Sequence, residues 1–190
     1  MNHVHKHLLI RRVFTPKKFK KRTGRLSGGE FNVFDNIPDL NLKLLTIALQ
    51  EYGNKEIPGQ EANPEIIKYF VESGFSINSD EISYCSAFMN WVAMKANAER
   101  SYSLVAQSWL NIGIEITHPL PGDLVVFWRE SPASWKGHVA LYISAVNDKI
   151  YGLGANQDDM VCIKGYSPKK VKGYRRLRYE DIKLYPETEK

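Results

Sequence analysis

The stretch GHVALYISAVNDKIYGLGAN, Gly137 to Asn156, decides how this chain is read. Its first half is rich in β-branched and aromatic residues, Asn147 and Asp148 supply a turn, and KIYGLGAN reads as a second strand. Alternation sets His138, Ala140 and Tyr142 on one face of the first strand and Val139, Leu141 and Ile143 on the other.

Working outward, the strand pattern continues on both sides. Downstream, DDMVCIKGY and KKVKGYRRL are further strand candidates, and upstream HPLPGDLVVFWRE is a Pro-Gly turn entering a strand. Further upstream the period becomes helical. PDLNLKLLTIALQEYG carries Leu40, Leu44, Ile47 and Leu49 near helical spacing, with Gly53 as a stop. NPEIIKYFVESG is a second short helix, capped by Asn63, with Pro64 in the first turn and Gly74 at the end. A third helix is predicted from about Ser83 to Asn97 and a fourth from about Ser103 to Leu110, before Gly113. Helices first and strands second predict an α+β domain, with the helices packed on a mostly antiparallel sheet. No internal repeat is visible.

Composition divides the chain. Residues 1–30 hold nine Lys or Arg against one acid, Glu30, whereas the remainder holds 17 basic and 20 acidic residues. The basic pI therefore comes from an N-terminal arm, expected over residues 1–37, and the folded domain is expected over 38–180 with a tail at 181–190. The arm suits an anionic polymer, lipid headgroups or nucleic acid, or serves as an address read by delivery machinery. Its HVHKH segment is expected to be a solvated tail rather than a metal site, and no cofactor is expected. No apolar run approaches the roughly 20 residues that span a bilayer. The LLI stretch is too short for a Sec signal core, so synthesis in the cytoplasm is expected. Cys85 and Cys162 are expected to be free thiols.

The chemistry centres on SDEISYCSAFMNW, Ser79 to Trp91. Cys85 opens an apolar helix whose face continues through Phe88, Met89, Val92 and Ala96. A cysteine there is either small core filler or a nucleophile, because a helix start favours a thiolate and its free N–H groups can hold an oxyanion. Asp80 and Glu81 precede the helix and favour its dipole, although charge so close also raises a thiol pKa. His138, opened by Gly137 at a strand end, is the candidate base, while His118 before Pro119 belongs to the surface. Asn156 is the candidate to orient the imidazole, and Gln157 can do the same. Cys162 reads as core and Asp123 as a turn residue. Trp135, in the polar loop before His138, is the candidate groove wall. An activated Cys85 is expected to alkylate well below pH 8 and faster than Cys162.

In their order and spacing, EIPGQEANPEIIKYF, YCSAFMNWV, SWLNIGIEITHPLPGDLVVFWR, GHVALYIS and GANQ…GYRRL resemble bacterial and phage cell-wall hydrolases. These are the NlpC-like and CHAP-like branches of the papain-like cysteine peptidases, and the resemblance runs from about Leu44 to Leu177. It implies a papain-like core, with Cys85 as nucleophile, His138 as base and Asn156 as third residue. Tyr84 stands before the cysteine where many relatives differ, which bears on substrate preference; Tyr84, Trp135 and Gln157 are the candidate substrate-binding residues. The implied substrate is peptidoglycan, cut at an amide bond in or next to the stem peptide. The implied setting is the wall, reached by lysis, in a phage particle, or by injection as an antibacterial toxin with an immunity protein in the producing cell. Two other classes stay open: a non-catalytic module binding wall or nucleic acid, and a cysteine peptidase acting on proteins.

Overall fold

The computed structural model describes residues 36–58, 62–77 and 82–180. The expected arm and tail, the HVHKH histidines, Asp80 and Glu81 therefore fall outside the described residues, apart from Asn36 and Ile37.

Among the described residues three α-helices precede the sheet: α1 (Asp39–Gln50), α2 (Pro64–Val71) and α3 (Cys85–Ala96). Asn63 caps α2 by accepting the Glu65 N–H at 2.9 Å, and Pro64 fills the first turn, where its missing N–H costs nothing. α3 is buried on nearly every side, as expected of a helix apolar all round, and ends on Asn97 in the left-handed conformation. α1 and α2 pack against α3, and α3 packs against the sheet.

Six strands follow among the described residues: β1 (Ile114–Ile116), β2 (Leu124–Trp128), β3 (Gly137–Val146), β4 (Lys149–Gln157), β5 (Met160–Tyr166) and β6 (Val171–Arg176). They form one antiparallel sheet in the order β1-β6-β2-β3-β4-β5. The α+β reading with an antiparallel sheet holds. The fourth helix is instead a 3-10 turn, Ala106–Asn111, and β1 is a three-residue edge strand that the sequence reading lacked.

Two hairpins share one turn chemistry. Asn147–Asp148 joins β3 to β4 and Asp158–Asp159 joins β4 to β5, all four with φ between 49° and 60°. Two positive-φ residues make the turn whose twist suits a two-residue hairpin, and Asn and Asp tolerate that region best after glycine. On one face of the sheet Val125, Phe127, Ala140 and Ile150 pack with Tyr142, Tyr166, Val171 and Tyr174. His138 shares this face, paired opposite Phe127. Val139 and Leu141 point the other way and are fully buried.

The far end of the sheet is tied by a buried carboxylate. Asp123 accepts two bonds from the Arg176 guanidinium, at 2.8 and 2.7 Å, one from Asn41 Nδ2 at 2.8 Å and one from the Leu120 N–H at 2.7 Å. This agrees with its reading as a turn residue and links α1, the turn before β2, and β6.

Candidate active site

Cys85 is the first residue of α3 and is 2 % exposed. Its sulfur faces the backbone N–H groups of Ser86 and Val139, with Ser83 Oγ 4.0 Å away. The paired residues of β3 and β4 begin at Leu141 and Leu153, so the amide of Val139 lies beyond the ladder and is turned to the sulfur. Burial pushes the thiol pKa up, opposed by the Val139 amide, the Arg129 charge and Ser83. Cys85 lines a cleft of about 220 Å³ together with Leu104, Val105, Arg129, Trp135 and Gly137.

His138 is the second residue of β3 and is 1 % exposed. Gly137 before it does give room: a Cβ there would lie 2.9 Å from the Phe127 carbonyl oxygen and 3.0 Å from Gln107 Cγ. The imidazole lines a second cleft of about 350 Å³ with Phe127, Arg129, Lys164, Tyr166 and Lys170 among its walls. Its Nε2 lies 2.9 Å from Gln157 Oε1, and its Nδ1 lies 3.5 Å from the Arg129 guanidinium.

The hydrogen bonds of Gln157 settle the tautomer. Its Nε2 donates to the carbonyls of Gly152, Gly154 and Cys162, which can only accept. Oε1 must therefore be the atom facing the imidazole, where it also accepts the Tyr166 hydroxyl at 2.8 Å. Nε2 of His138 then carries the proton, and Nδ1 is the free base. Gly154 makes this possible, since a Cβ there would stand 3.0 Å from Ala140 Cβ and 3.4 Å from Gln157 Oε1.

Asn156 does not meet His138. Its Nδ2 donates to Glu56 Oε1 at 3.1 Å. The reason is a bulge. Between the pairs Gly154↔Cys162 and Gln157↔Met160, β4 uses one residue more than β5, and Asn156 takes φ 58°. Strict alternation would have put Asn156 on the face of Gly152 and Gly154; the extra residue moves Gln157 there instead. The orienting role expected for Asn156 thus passes on geometry to Gln157, which is buried and offers no surface to a substrate. Tyr84 is likewise fully buried before α3, against the expectation of a substrate contact. Trp135 stands 69 % exposed at the Cys85 cleft, where a groove wall was expected. His118 is on the surface beside Thr117. Cys162 is buried, donates its thiol to the Gln157 carbonyl and, like Cys85, is free.

Among the described residues no hydrogen bond joins Cys85 to His138. Arg129 lines both clefts, and it holds the nitrogen that a thiol would use. Sequence reading missed Arg129 and Tyr166. The signal for Arg129 was present: aligning LVVFWR against KGHVAL as a hairpin pairs Trp128 with Gly137 and brings the next residue to the histidine. Nothing in the sequence marked Tyr166, which stacks on Phe127 with ring centroids 4.5 Å apart.

The titration of the pair follows from burial. Desolvation depresses His138 to about 4, helped by the Arg129 and Lys164 charges and opposed by Gln157. With the thiol raised and the imidazole lowered, the resting pair at neutral pH is thiol and neutral imidazole. The early expectation of fast alkylation below pH 8 is revised accordingly: both cysteines are raised by desolvation and should react slowly in the resting protein.

Folding stability should record the same depression. Between pH 6.5 and about 4 the unfolded chain protonates this histidine while the folded chain does not. The contribution is whole above pH 6.5 and is lost as pH falls toward the folded value, at up to about 1.4 kcal/mol per pH unit. Urea titrations of wild type and His138→Gln at pH 7 and pH 5 should show a steeper loss for wild type; equal losses would remove the argument.

No family model matches the chain, and no curated protein matches it. Among solved structures it is similar to a Staphylococcus aureus protein described as similar to lipoprotein, NLP/P60 family, at 23 % identity and a TM-score of 0.45. The match covers 74 % of this chain and 42 % of that one, so the chain spans less than half the length of this neighbour.

Proposed function

We propose that the chain is a papain-like cysteine hydrolase that cuts an amide bond in or next to the stem peptide of peptidoglycan. One observation carries the chemistry: a cysteine opening a buried helix lies against the strand of a histidine whose tautomer is fixed by Gln157. The wall as substrate comes from the resemblance of the ordered motifs and agrees with the exposed Trp135 that lines the same cleft as Cys85.

In this reading Cys85 Sγ attacks the amide carbonyl while His138 Nδ1 takes the thiol proton. Nε2–H stays on Gln157 Oε1, which stabilises the imidazolium so formed. The imidazolium then protonates the leaving amine, and water, activated by the same nitrogen, releases the acyl group from sulfur. The N–H groups at the start of α3 are the donors that would hold the oxyanion in this reading. The reaction starts from a neutral pair, so proton transfer accompanies attack. Arg129 must leave Nδ1 for it to proceed.

Mass spectrometry of sacculi digested by the protein tests the proposal: new amine termini in or next to the stem peptide support it, and unchanged muropeptides refute it. The third residue has its own test. Gln157→Ala should lower kcat ~10²-fold by freeing the imidazole to turn. Asn156→Gly keeps the left-handed backbone and should change kcat less than about threefold. The reverse ranking would return the orienting role to Asn156.

A second reading, a wall-binding module without turnover, draws on the missing bond between Cys85 and His138 and on the raised thiol. Binding to sacculi with no release of soluble fragments would favour it.

A further inference from the structure

We propose that Arg129 is the substrate-carboxylate receptor of this site, so that the preferred substrate carries a free carboxylate beside the scissile amide. This deepens the proposed function and rests on it for the identity of the substrate.

Arg129 is exposed at the end of β2, fixed at its backbone by the bond from its N–H to the Lys136 carbonyl at 3.0 Å. It is the side chain common to the Cys85 cleft and the His138 cleft, apart from which their described walls differ. Both clefts therefore present the same guanidinium. Its recorded side-chain contact among the described residues is His138 Nδ1, a neutral acceptor at 3.5 Å, and no described carboxylate lies within ion-pair distance of it.

The surroundings select the ligand's sign. Three of the walls of the His138 cleft are cations, Arg129, Lys164 and Lys170, against one acid, Glu130. Glu130 is already engaged by Lys136 at 2.6 Å, and Lys164 is engaged by Asp158. Lys170 lies over the Trp128 ring, 5.4 Å from its centroid, and Trp128 donates its indole N–H to the Lys169 carbonyl. The cleft therefore offers a planar guanidinium in surplus of its own acids. A guanidinium fork matches a carboxylate in two parallel bonds, which a neutral imidazole nitrogen at 3.5 Å cannot replace. A substrate carboxylate thus draws Arg129 off Nδ1, and the same movement clears the nitrogen that must receive the thiol proton. Binding and readiness are coupled through one side chain.

The probes are a synthetic stem tetrapeptide with its D-glutamyl α-carboxyl free and the same peptide with that group as carboxamide. Calorimetry with the Cys85→Ala protein reads binding without turnover. The acid should bind about tenfold more tightly than the amide, as expected for loss of a charge-assisted pair. Arg129→Gln in the same background should bring the two within about twofold by weakening the acid alone, and Arg129→Lys should fall between. Equal affinity for acid and amide, no binding of the acid, or an unchanged preference in Arg129→Gln overturns the proposal. Turnover by the protein with Cys85 intact is scored separately. Hydrolysis of both peptides at equal kcat/KM leaves the hydrolase reading standing and removes this one. Preferential binding without any cleavage does the opposite. A rise in kcat on both peptides in Arg129→Gln also overturns it, because the guanidinium would then be an obstruction to His138.

Discussion

Cys85→Ala is expected to end the release of soluble fragments from purified sacculi, a loss of ~10⁴-fold or more, with the fold intact. The sulfur is the atom that forms the covalent intermediate, and no other group at the site replaces it. Cys162 is buried on the carbonyl of Gln157 and does not line either cleft. Alanine suits the helix, and what the sulfur gives up is weak: the Ser83 hydroxyl at 4.0 Å and the N–H groups of Ser86 and Val139, for which a thiol is a poor acceptor. The variant should therefore match wild type in circular dichroism and urea midpoint. Cys85→Ser should be nearly as inactive, because a hydroxyl is far harder to deprotonate by an imidazole whose own pKa is depressed. Digestion by Cys85→Ala at the wild-type rate would sink the catalytic assignment.

The largest effect on stability is expected from Asp123→Ala, about 3 kcal/mol, or a fall in Tm of roughly 10 °C. The carboxylate is fully buried, while Arg176 keeps 29 % of its side chain exposed. Removing the acid leaves the guanidinium able to rehydrate in part, which places the loss at the lower end for a broken buried pair. Asn41 Nδ2 and the Leu120 N–H lose an acceptor as well, although Asn41 keeps its bond to the Pro121 carbonyl at 3.0 Å. Arg176→Met should cost a similar amount, since it leaves a fully buried carboxylate with the Asn41 and Leu120 donors but no counterion. Thermal and urea denaturation check both. A loss below 1 kcal/mol for Asp123→Ala would show that solvent replaces the pair freely.

The helices and the hairpins were legible because their signals are local. Asn63 and Pro64 mark a helix start whatever surrounds them, and Asn147–Asp148 marks a turn in the same way. Cys85 and His138 were legible as individual residues for the same reason, one at a helix start and one at a strand end. What failed was phase and distance. Asn156 was the first candidate with Gln157 left open, and the extra residue in β4 that brings Gln157 to the imidazole leaves no mark in the sequence besides a residue tolerant of positive φ. The Ala106–Asn111 turn carries helical spacing in its residues yet is six residues of 3-10 geometry, with Trp109 anchored by its indole N–H to Ser86 Oγ at 2.9 Å. A tertiary bond of that kind overrides propensity over so short a span. Arg129 was missed because its importance depends on the register of β2 against β3, which a hairpin alignment of the two segments supplies and a single strand does not.

The strand order has a consequence for biosynthesis. The last strand made, β6, is an interior one, lodged between β1 and β2. Hairpins β2–β3–β4–β5 can assemble as they emerge, but the sheet stays split until Arg176 has cleared the ribosomal exit tunnel, and only then does Asp123 gain its counterion. Closure of the described sheet thus waits on β6, the last of its strands to be made.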